Sequence, residues 1–311
     1  MTDTRFFRSS AWSGKGLSNL DALREALSDL RSARKLMANR RDQLLSLFDS
    51  RGHGLEIGAS FSPLLPKSEG YDVKVLDHAS TEELVNKYRN AGVDIGRIEA
   101  VDYVSDGGSL VDAIGQEACF DFIVASHVIE HTVNLLGFLR DCERLLKPEG
   151  VLVLAVPDKR FSFDVLRPTS TTGDVLQADA DGRTRHSLGA LFDEVAYNCL
   201  RAGALAWPRA DDKPLAFAAS LEAARGIFES TRRNPVFHDI HAWQFTPSSF
   251  RLIVNDLHEI GYIALKEAAL LESESEFFVT LSRTGAGAGM GRLQLAQRVV
   301  AENCEIRVPE A

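Results

Sequence analysis

The chain has 311 residues, is 45% hydrophobic and 25% charged, and carries a formal net charge of −9. That balance suits an ordinary globular protein with enough apolar material for a core, and it argues against a broad nucleic-acid-binding face, which needs a basic surface. No apolar run reaches membrane-spanning length, no leader-like segment opens the chain, and Cys119, Cys142, Cys199 and Cys304 show no C-x-x-C spacing. The expectation is a cytoplasmic protein with buried thiols and no membrane span.

Residues 1–16 are polar and glycine-dotted and read as an arm. Over residues 17–48, Leu20, Leu23, Leu27 and Leu30 recur at helical steps, and Leu44, Leu45, Leu47 and Phe48 form a second apolar cluster. These helices cover a sheet edge, pair two copies in a homodimer or form a lid over the substrate, and residues 1–49 form one unit. A short strand holding Leu55 and Ile57 then delivers Glu56 and Gly58 at its end. A second strand, residues 71–76, ends in Asp77. Ligands of open α/β sheets lie outside the carboxyl ends of the strands, and an acidic residue about 20 positions past the glycine turn typically takes ribose hydroxyls. Gly58 and Asp77 fit that spacing. The turn lacks both G-x-G-x-x-G and a Gly-Lys-Ser/Thr ending, so no pyrophosphate cradle is expected. An adenosine-containing cofactor is.

Ser80 and Glu83 have capping-box spacing and start a helix that runs to about Asn90. A third strand is expected at 98–104, a fourth at 120–125, and a fifth at 151–156 ending in Pro157-Asp158. Between the last two, a helix continues through Leu135 to Leu146 and stops at Lys147-Pro148-Glu149-Gly150. Residues 159–236 break the pattern, with loop at 179–185 and helical stretches at 187–206 and 214–228. They read as a helical insertion on the acceptor side. The core resumes over 237–283, with Thr246 or Ser248 capping a helix at 250–260 and closing strands at 262–270 and 276–283. Residues 284–311 are linker and tail.

Glu56-Ile57-Gly58 with a small-residue turn and Asp77 downstream resembles motif I and the acidic loop of class I S-adenosylmethionine-dependent methyltransferases, with Ser60 and Ser62 in place of two further glycines. The order strand, Ser126-His127-Val128-Ile129-Glu130-His131, helix, Leu146-Lys147-Pro148, strand is similar to the second half of that core. The resemblance covers residues 50–158, and 237–283 more loosely. It implies a Rossmann-like α/β sandwich, with an N-terminal helical arm, a helical insertion after strand five and an antiparallel last strand. It implies S-adenosylmethionine as cofactor, with Glu56, Gly58, Ala59 and Ser60 at the methionine end, Asp77 and His78 at the ribose, and Ser126 and His127 bordering the site. Asp106 or Asp102 would face the adenine. The wording around Gly58-Ala59-Ser60 and Leu76-Asp77-His78 also resembles bacterial methyltransferases of surface-polysaccharide and glycosylation pathways. A small-molecule or glycan acceptor follows, with O-methylation of a sugar hydroxyl as the first expectation. A binding module that keeps the fold without catalysis is the alternative.

His127-Val128-Ile129-Glu130-His131 also spells H-x-x-E-H, a zinc-peptidase pattern. It sits at a strand-to-helix junction with no third ligand on a downstream helix, so no metal is expected and His131 reads as structural. His238-Asp239-Ile240-His241 is the other polar cluster. His241 and His238 are candidate general bases because imidazole titrates near neutral pH. Their H-x-x-H spacing would also allow a metal or a purely structural role. Asp158 is a third candidate base, and Arg160 a candidate clamp for an anionic acceptor.

Overall fold

The computed structural model describes residues 40–105 and 107–305. Its described strands are β1 (Gly54–Ile57), β2 (Val73–Asp77), β3 (Tyr103–Val104), β4 (Phe120–Ser126), β5 (Leu146–Pro157), β6 (Cys199–Arg201), β7 (Leu215–Phe217), β8 (Lys266–Glu272) and β9 (Glu276–Ser282). Seven of them form one sheet in the order β3-β2-β1-β4-β5-β9-β8, while β6 and β7 pair as a separate hairpin. Strands β1 to β5 run parallel, and β9 is antiparallel to both β5 and β8. The strand order reverses between β1 and β4. That switch point opens a crevice at the carboxyl ends of both strands.

The central strands read as continuous apolar runs because both sheet faces are covered. On one face Ile123, Ala125 and Leu154 meet the buried side of helix α3, and on the other Phe122, Val124 and Val153 meet Leu44, Leu64 and Leu65. The helices, in chain order, are α1 (Thr81–Tyr88), α2 (Leu110–Ile114), α3 (Leu135–Leu145), α4 (Thr172–Ala180), α5 (Leu188–Tyr197), α6 (Leu221–Arg233), α7 (Pro247–Glu259) and α8 (Arg292–Cys304). Local chemistry sets several boundaries. Ser80 and Glu83 form the reciprocal capping box of α1, and Thr246 rather than Ser248 caps α7, with Pro247 at its first position.

Two expectations need correction. The third strand is only two residues long. The Asp102 carboxylate accepts the Val75 amide at 2.9 Å, so a side chain takes a donor on the β2 edge just upstream of where the β3 ladder begins. The helical stretches expected at 187–206 and 214–228 are shorter and displaced, with the β6–β7 hairpin between α5 and α6. That hairpin is anchored by the Cys199 amide on the Phe163 carbonyl at 3.1 Å and by Arg201 lying 4.9 Å over the Trp207 ring. No described helix is long and apolar enough to cross a membrane. The arm and most of the N-terminal helices expected before residue 40, and with them the homodimer contact, lie outside the described residues.

Candidate functional site

The turn after β1 is built by Gly58 and Ser60, both in the left-handed region at φ +71° and +49°. Only glycine suits the first position, since a Cβ there would sit 2.8 Å from the Val128 methyl group on the loop after β4. Beneath the turn, Glu56 is buried, and its carboxylate accepts the Leu64 and Leu65 amides at 2.7 and 3.1 Å. Burial pushes its carboxyl up to about 7 against those two bonds. Both Glu56 oxygens therefore hold the 59–65 loop from inside, so its part is to shape the turn. Asp77 closes β2, where its Oδ2 accepts the Ser60 amide at 3.0 Å and its Oδ1 accepts the His78 amide at 2.8 Å. His78 Nδ1 lies 2.6 Å from the same Oδ1, and its Nε2 lies 3.0 Å from Lys87 Nζ. The Ala59 carbonyl accepts the Ser62 amide at 3.0 Å. The buried Ser60 hydroxyl has no partner among the described residues.

Four other expected site residues are committed elsewhere. Asp102 sits between Lys67 and Lys74 at 2.8 and 2.9 Å, upstream of β3 and away from the strand ends that form the crevice. Asp158, fully buried, is clamped by Arg160, whose Nη2 lies 2.6 Å from Oδ2. A base must be free to take a proton, and a clamp must be free to take an anion, so neither role suits this pair. His238 faces away toward α6, with its Nε2 2.8 Å from the Thr231 hydroxyl. Asp106 lies outside the described residues.

Ser126 and His127 end β4 in a setting the sequence did not suggest. Arg40 donates to the Ser126 hydroxyl at 2.7 Å and to both oxygens of Glu276 at 2.6 and 2.8 Å, while His127 Nε2 lies 2.9 Å from Glu276 Oε2. Glu276 reaches this spot because the first residue of antiparallel β9 pairs with Pro157, the last of β5. Burial works to raise its carboxyl, but Arg40 and then His127 outweigh it and hold it at about 2. A carboxylate depressed from an ordinary 4.5 stabilises the fold above pH 4.5 and loses that contribution as pH falls through 2. The contribution is about 3 kcal/mol, so acid unfolding of Glu276→Gln should be markedly flatter than the parent's over that window. Urea titrations at stepped pH would show it, and parallel profiles would remove Glu276 from the account.

Beyond Glu276, two loops converge. The main-chain oxygen of Glu130 accepts the Ala242 and Trp243 amides at 2.7 and 3.2 Å, and the Trp243 indole donates to the Thr132 carbonyl at 2.6 Å. These bonds bring His131 and His241 edge to face, with ring centroids 4.6 Å apart. His241 Nδ1 lies 2.5 Å from Asp164 Oδ2, and Asp164 in turn pairs with Arg167 at 2.7 Å. Burial pushes the His241 imidazole down, but the Asp164 carboxylate reverses that and lifts it to about 9. A ring so held keeps its proton at neutral pH, which tells against the free general base expected of it. A cavity of about 200 Å³ opens next to this cluster, lined by Arg167, His186, Ala242, Trp243 and residues of α4 and α5. Both ring nitrogens of His186 are buried there without a hydrogen bond, and burial lowers its imidazole to about 4. Sequence reading missed Arg40, Asp164, Arg167, His186 and Glu276. Apart from the local Asp164–Arg167 pair, they come from segments far apart in the chain, and no motif spacing marks them.

A glycine turn after the first strand, an acid ending the second, and a parallel sheet closed by an antiparallel hairpin make a Rossmann-like methyl-transfer fold. The chain belongs to the methyltransferase domain family, whose model matches residues 30–210, more than half of its length. Among curated proteins, a highly reducing polyketide synthase of Aspergillus nomiae is 34% identical over 122 residues, 38% of this chain and 4% of the synthase. The mitochondrial ubiquinone biosynthesis O-methyltransferase of Rattus norvegicus is 42% identical over 52 residues, 16% of this chain and 15% of that enzyme. The chain thus spans a small part of these relatives. Among solved structures, the PH0226 protein of Pyrococcus horikoshii is similar at 13% identity and a TM-score of 0.42, covering 80% of this chain and 90% of that one.

Proposed function

We propose that this chain transfers the methyl group of S-adenosylmethionine to a hydroxyl oxygen of a small-molecule acceptor, a sugar hydroxyl first among them, in a cytoplasmic setting. The observation that carries the reading is the placement of two half-sites around one switch point. The Gly58–Ser60 turn and Asp77 lie at the ends of β1 and β2, and the His131–His241 loops and the 200 Å³ cavity lie beyond β4 and β5. The donor half fits an adenosyl ligand. Gly58 keeps the turn free of a Cβ, the Ser60 hydroxyl is buried without a partner, and Asp77 retains acceptor capacity beyond its present bonds.

The donor's sulfonium supplies a methyl group on a good leaving group. The remaining work falls to the chain: the turn and Asp77 hold the donor, while the 241–244 loop and α4–α5 hold the acceptor and exclude water, setting donor and acceptor in line. The name of the rat relative supports oxygen as the atom methylated, and the polar lining of the cavity supports a hydroxylated acceptor.

The test is calorimetric titration with S-adenosylmethionine and S-adenosylhomocysteine, followed by transfer of a labelled methyl group to a panel of nucleotide sugars, glycosides and phenols. Micromolar binding and label in a base-stable ether support the reading. Label on nitrogen or carbon only would remove the hydroxyl. Absence of binding by both adenosyl compounds would leave a binding module in place of the enzyme.

A further inference from the structure

Glu130 is the least explained charged group in the molecule. Its side chain is wholly buried, and neither carboxylate oxygen accepts a hydrogen bond among the described residues. Among the described residues, the basic side-chain atoms in ion-pair range are His127 Nδ1 at 3.5 Å and His131 Nε2 at 4.0 Å, both too far for a hydrogen bond of ordinary length. A carboxylate out of water without a partner is costly, so an unmade contact of this kind points to a missing ligand. Around it, one ligand atom from each of Glu130, His131 and His241 lies within 4.8 Å of the others.

We propose that Glu130, His131 and His241 form a binding site for one divalent first-row transition-metal ion, of which Zn²⁺ is the first choice. Two imidazoles and one carboxylate are the donor set of a catalytic zinc site with an open fourth position. Carboxylates stand behind both imidazoles. His131 Nδ1 lies 2.9 Å from Asp239 Oδ1, and His241 Nδ1 lies 2.5 Å from Asp164 Oδ2. The Asp164 carboxylate bonds the Nδ1 side of His241, and Asp239 lies in ion-pair range of the Nδ1 of His131 without a hydrogen bond of good geometry, so each ring has Nε2 available for an ion.

A plain ion pair explains the geometry less well. A His241 imidazolium serving Glu130 as counter-ion would place an Nε2–H within hydrogen-bond distance of a Glu130 oxygen, and no such bond is made. The three donors instead surround a point, and an ion bound there would displace to solvent the Nε2 proton that Asp164 favours on His241 in its absence. A tetrahedral ion with bonds of about 2.0–2.1 Å needs donors roughly 3.3 Å apart, so binding would draw them inward by about 1 Å or more. The main-chain bonds from Ala242 and Trp243 to the Glu130 oxygen already hold the two loops together for this. The H-x-x-E-H spacing thus matters only in part. Its Glu and second His contribute, the first His turns to Glu276, and the third ligand comes from a distant loop rather than a downstream helix. At the open position the ion would take an acceptor's oxygen, a clause that rests on the methyl-transfer reading. The ion site itself does not.

The test is direct binding of Zn²⁺ alone to chelator-stripped protein by equilibrium dialysis, with the visible absorption of the Co²⁺ form as a second readout. No methyl donor is present, so the result is independent of whether transfer occurs. One equivalent should bind at micromolar or lower concentration. Affinity should fall on the order of 100-fold in both Glu130→Gln and His241→Gln, and by 10–100-fold in Asp239→Asn. His53→Ala, which removes a partly exposed imidazole outside the cluster, should bind as the parent does. Circular dichroism of each variant keeps the folded fraction in view, and His131→Gln supplies a further ligand variant if Glu130→Gln fails to fold. Binding well below one equivalent in the parent, or undiminished binding in folded ligand variants, overturns the site.

Discussion

Asp77→Ala is expected to weaken S-adenosylmethionine binding by at least about 100-fold while the protein remains folded. Hydrogen bonds to a charged acceptor are worth roughly 1.5–3 kcal/mol each, and beside the Ser60 and His78 contacts Asp77 has room for one from a ribose hydroxyl. The loss then starts at about 1.5–3 kcal/mol and grows because the same carboxylate also fixes the turn. Its Oδ2 accepts the Ser60 amide and its Oδ1 the His78 amide, so removing it frees the backbone that approaches the donor. Asp77→Asn separates the two effects. An amide keeps the side-chain volume and one acceptor oxygen, so it should retain much of the turn and lose less affinity than alanine. Calorimetry with S-adenosylhomocysteine on all three proteins reads the result directly, and urea unfolding in parallel reports any general loss of structure. Alanine binding within about threefold of the parent would remove Asp77 from the donor site.

What could be read in advance follows from the range of each interaction. Gly58, Asp77 and the Ser80–Glu83 capping box are local features whose chemistry is complete within a few residues or one strand–turn–strand unit. The buried strands showed themselves because both sheet faces are covered, and antiparallel β9 was expected from the family likeness. The third strand misled because Asp102 uses a side-chain oxygen where an apolar run suggests a backbone ladder. Residues 198–217 misled for a related reason. Their apolar residues fit helical steps, but the closing bond from the Ala218 amide to the Asn198 carbonyl, at 2.8 Å, makes the segment a hairpin.

The polar site was less legible than the donor turn. His241 stood out as a histidine in a cluster, yet its partner Asp164 lies in a segment that showed no signal. Asp158 and Arg160 read in the sequence as a candidate base and a candidate anion clamp, whereas the structure spends them on each other. Titratable residues near strand ends are numerous, and only three-dimensional proximity separates a paired carboxylate from an unpaired one. Glu130 shows the converse. Its letters matched a metal pattern, the context argued against it, and the buried orphaned carboxylate reopened the question.

Arg167→Ala should lower the stability of the fold by about 3–5 kcal/mol, because it removes one partner of a buried charge cluster and leaves the others behind. The guanidinium is nearly inaccessible. Its Nη1 lies 2.7 Å from Asp164 Oδ1 and 2.7 Å from Glu194 Oε2, joining the segment after β5 to α5. Without it, Asp164 retains His241 as its ion-pair partner among the described residues, with Lys159 in electrostatic reach, and Glu194 retains no cation in ion-pair contact among them. Burial already raises the Glu194 carboxyl against the pull of Arg167, and loss of the arginine raises it further. A carboxyl raised in the folded state prefers its proton there, so its ionisation weakens the fold as pH climbs above the unfolded carboxylate value. The deficit of the variant should therefore be larger at pH 8.5 than at pH 6. Adding Glu194→Gln should return part of it and flatten the pH dependence. Urea unfolding of the single and double variants at both pH values measures each quantity. A deficit below about 1 kcal/mol at both would mean that water reaches the cluster and screens it, in which case the inserted helices are held to the core by their apolar contacts alone.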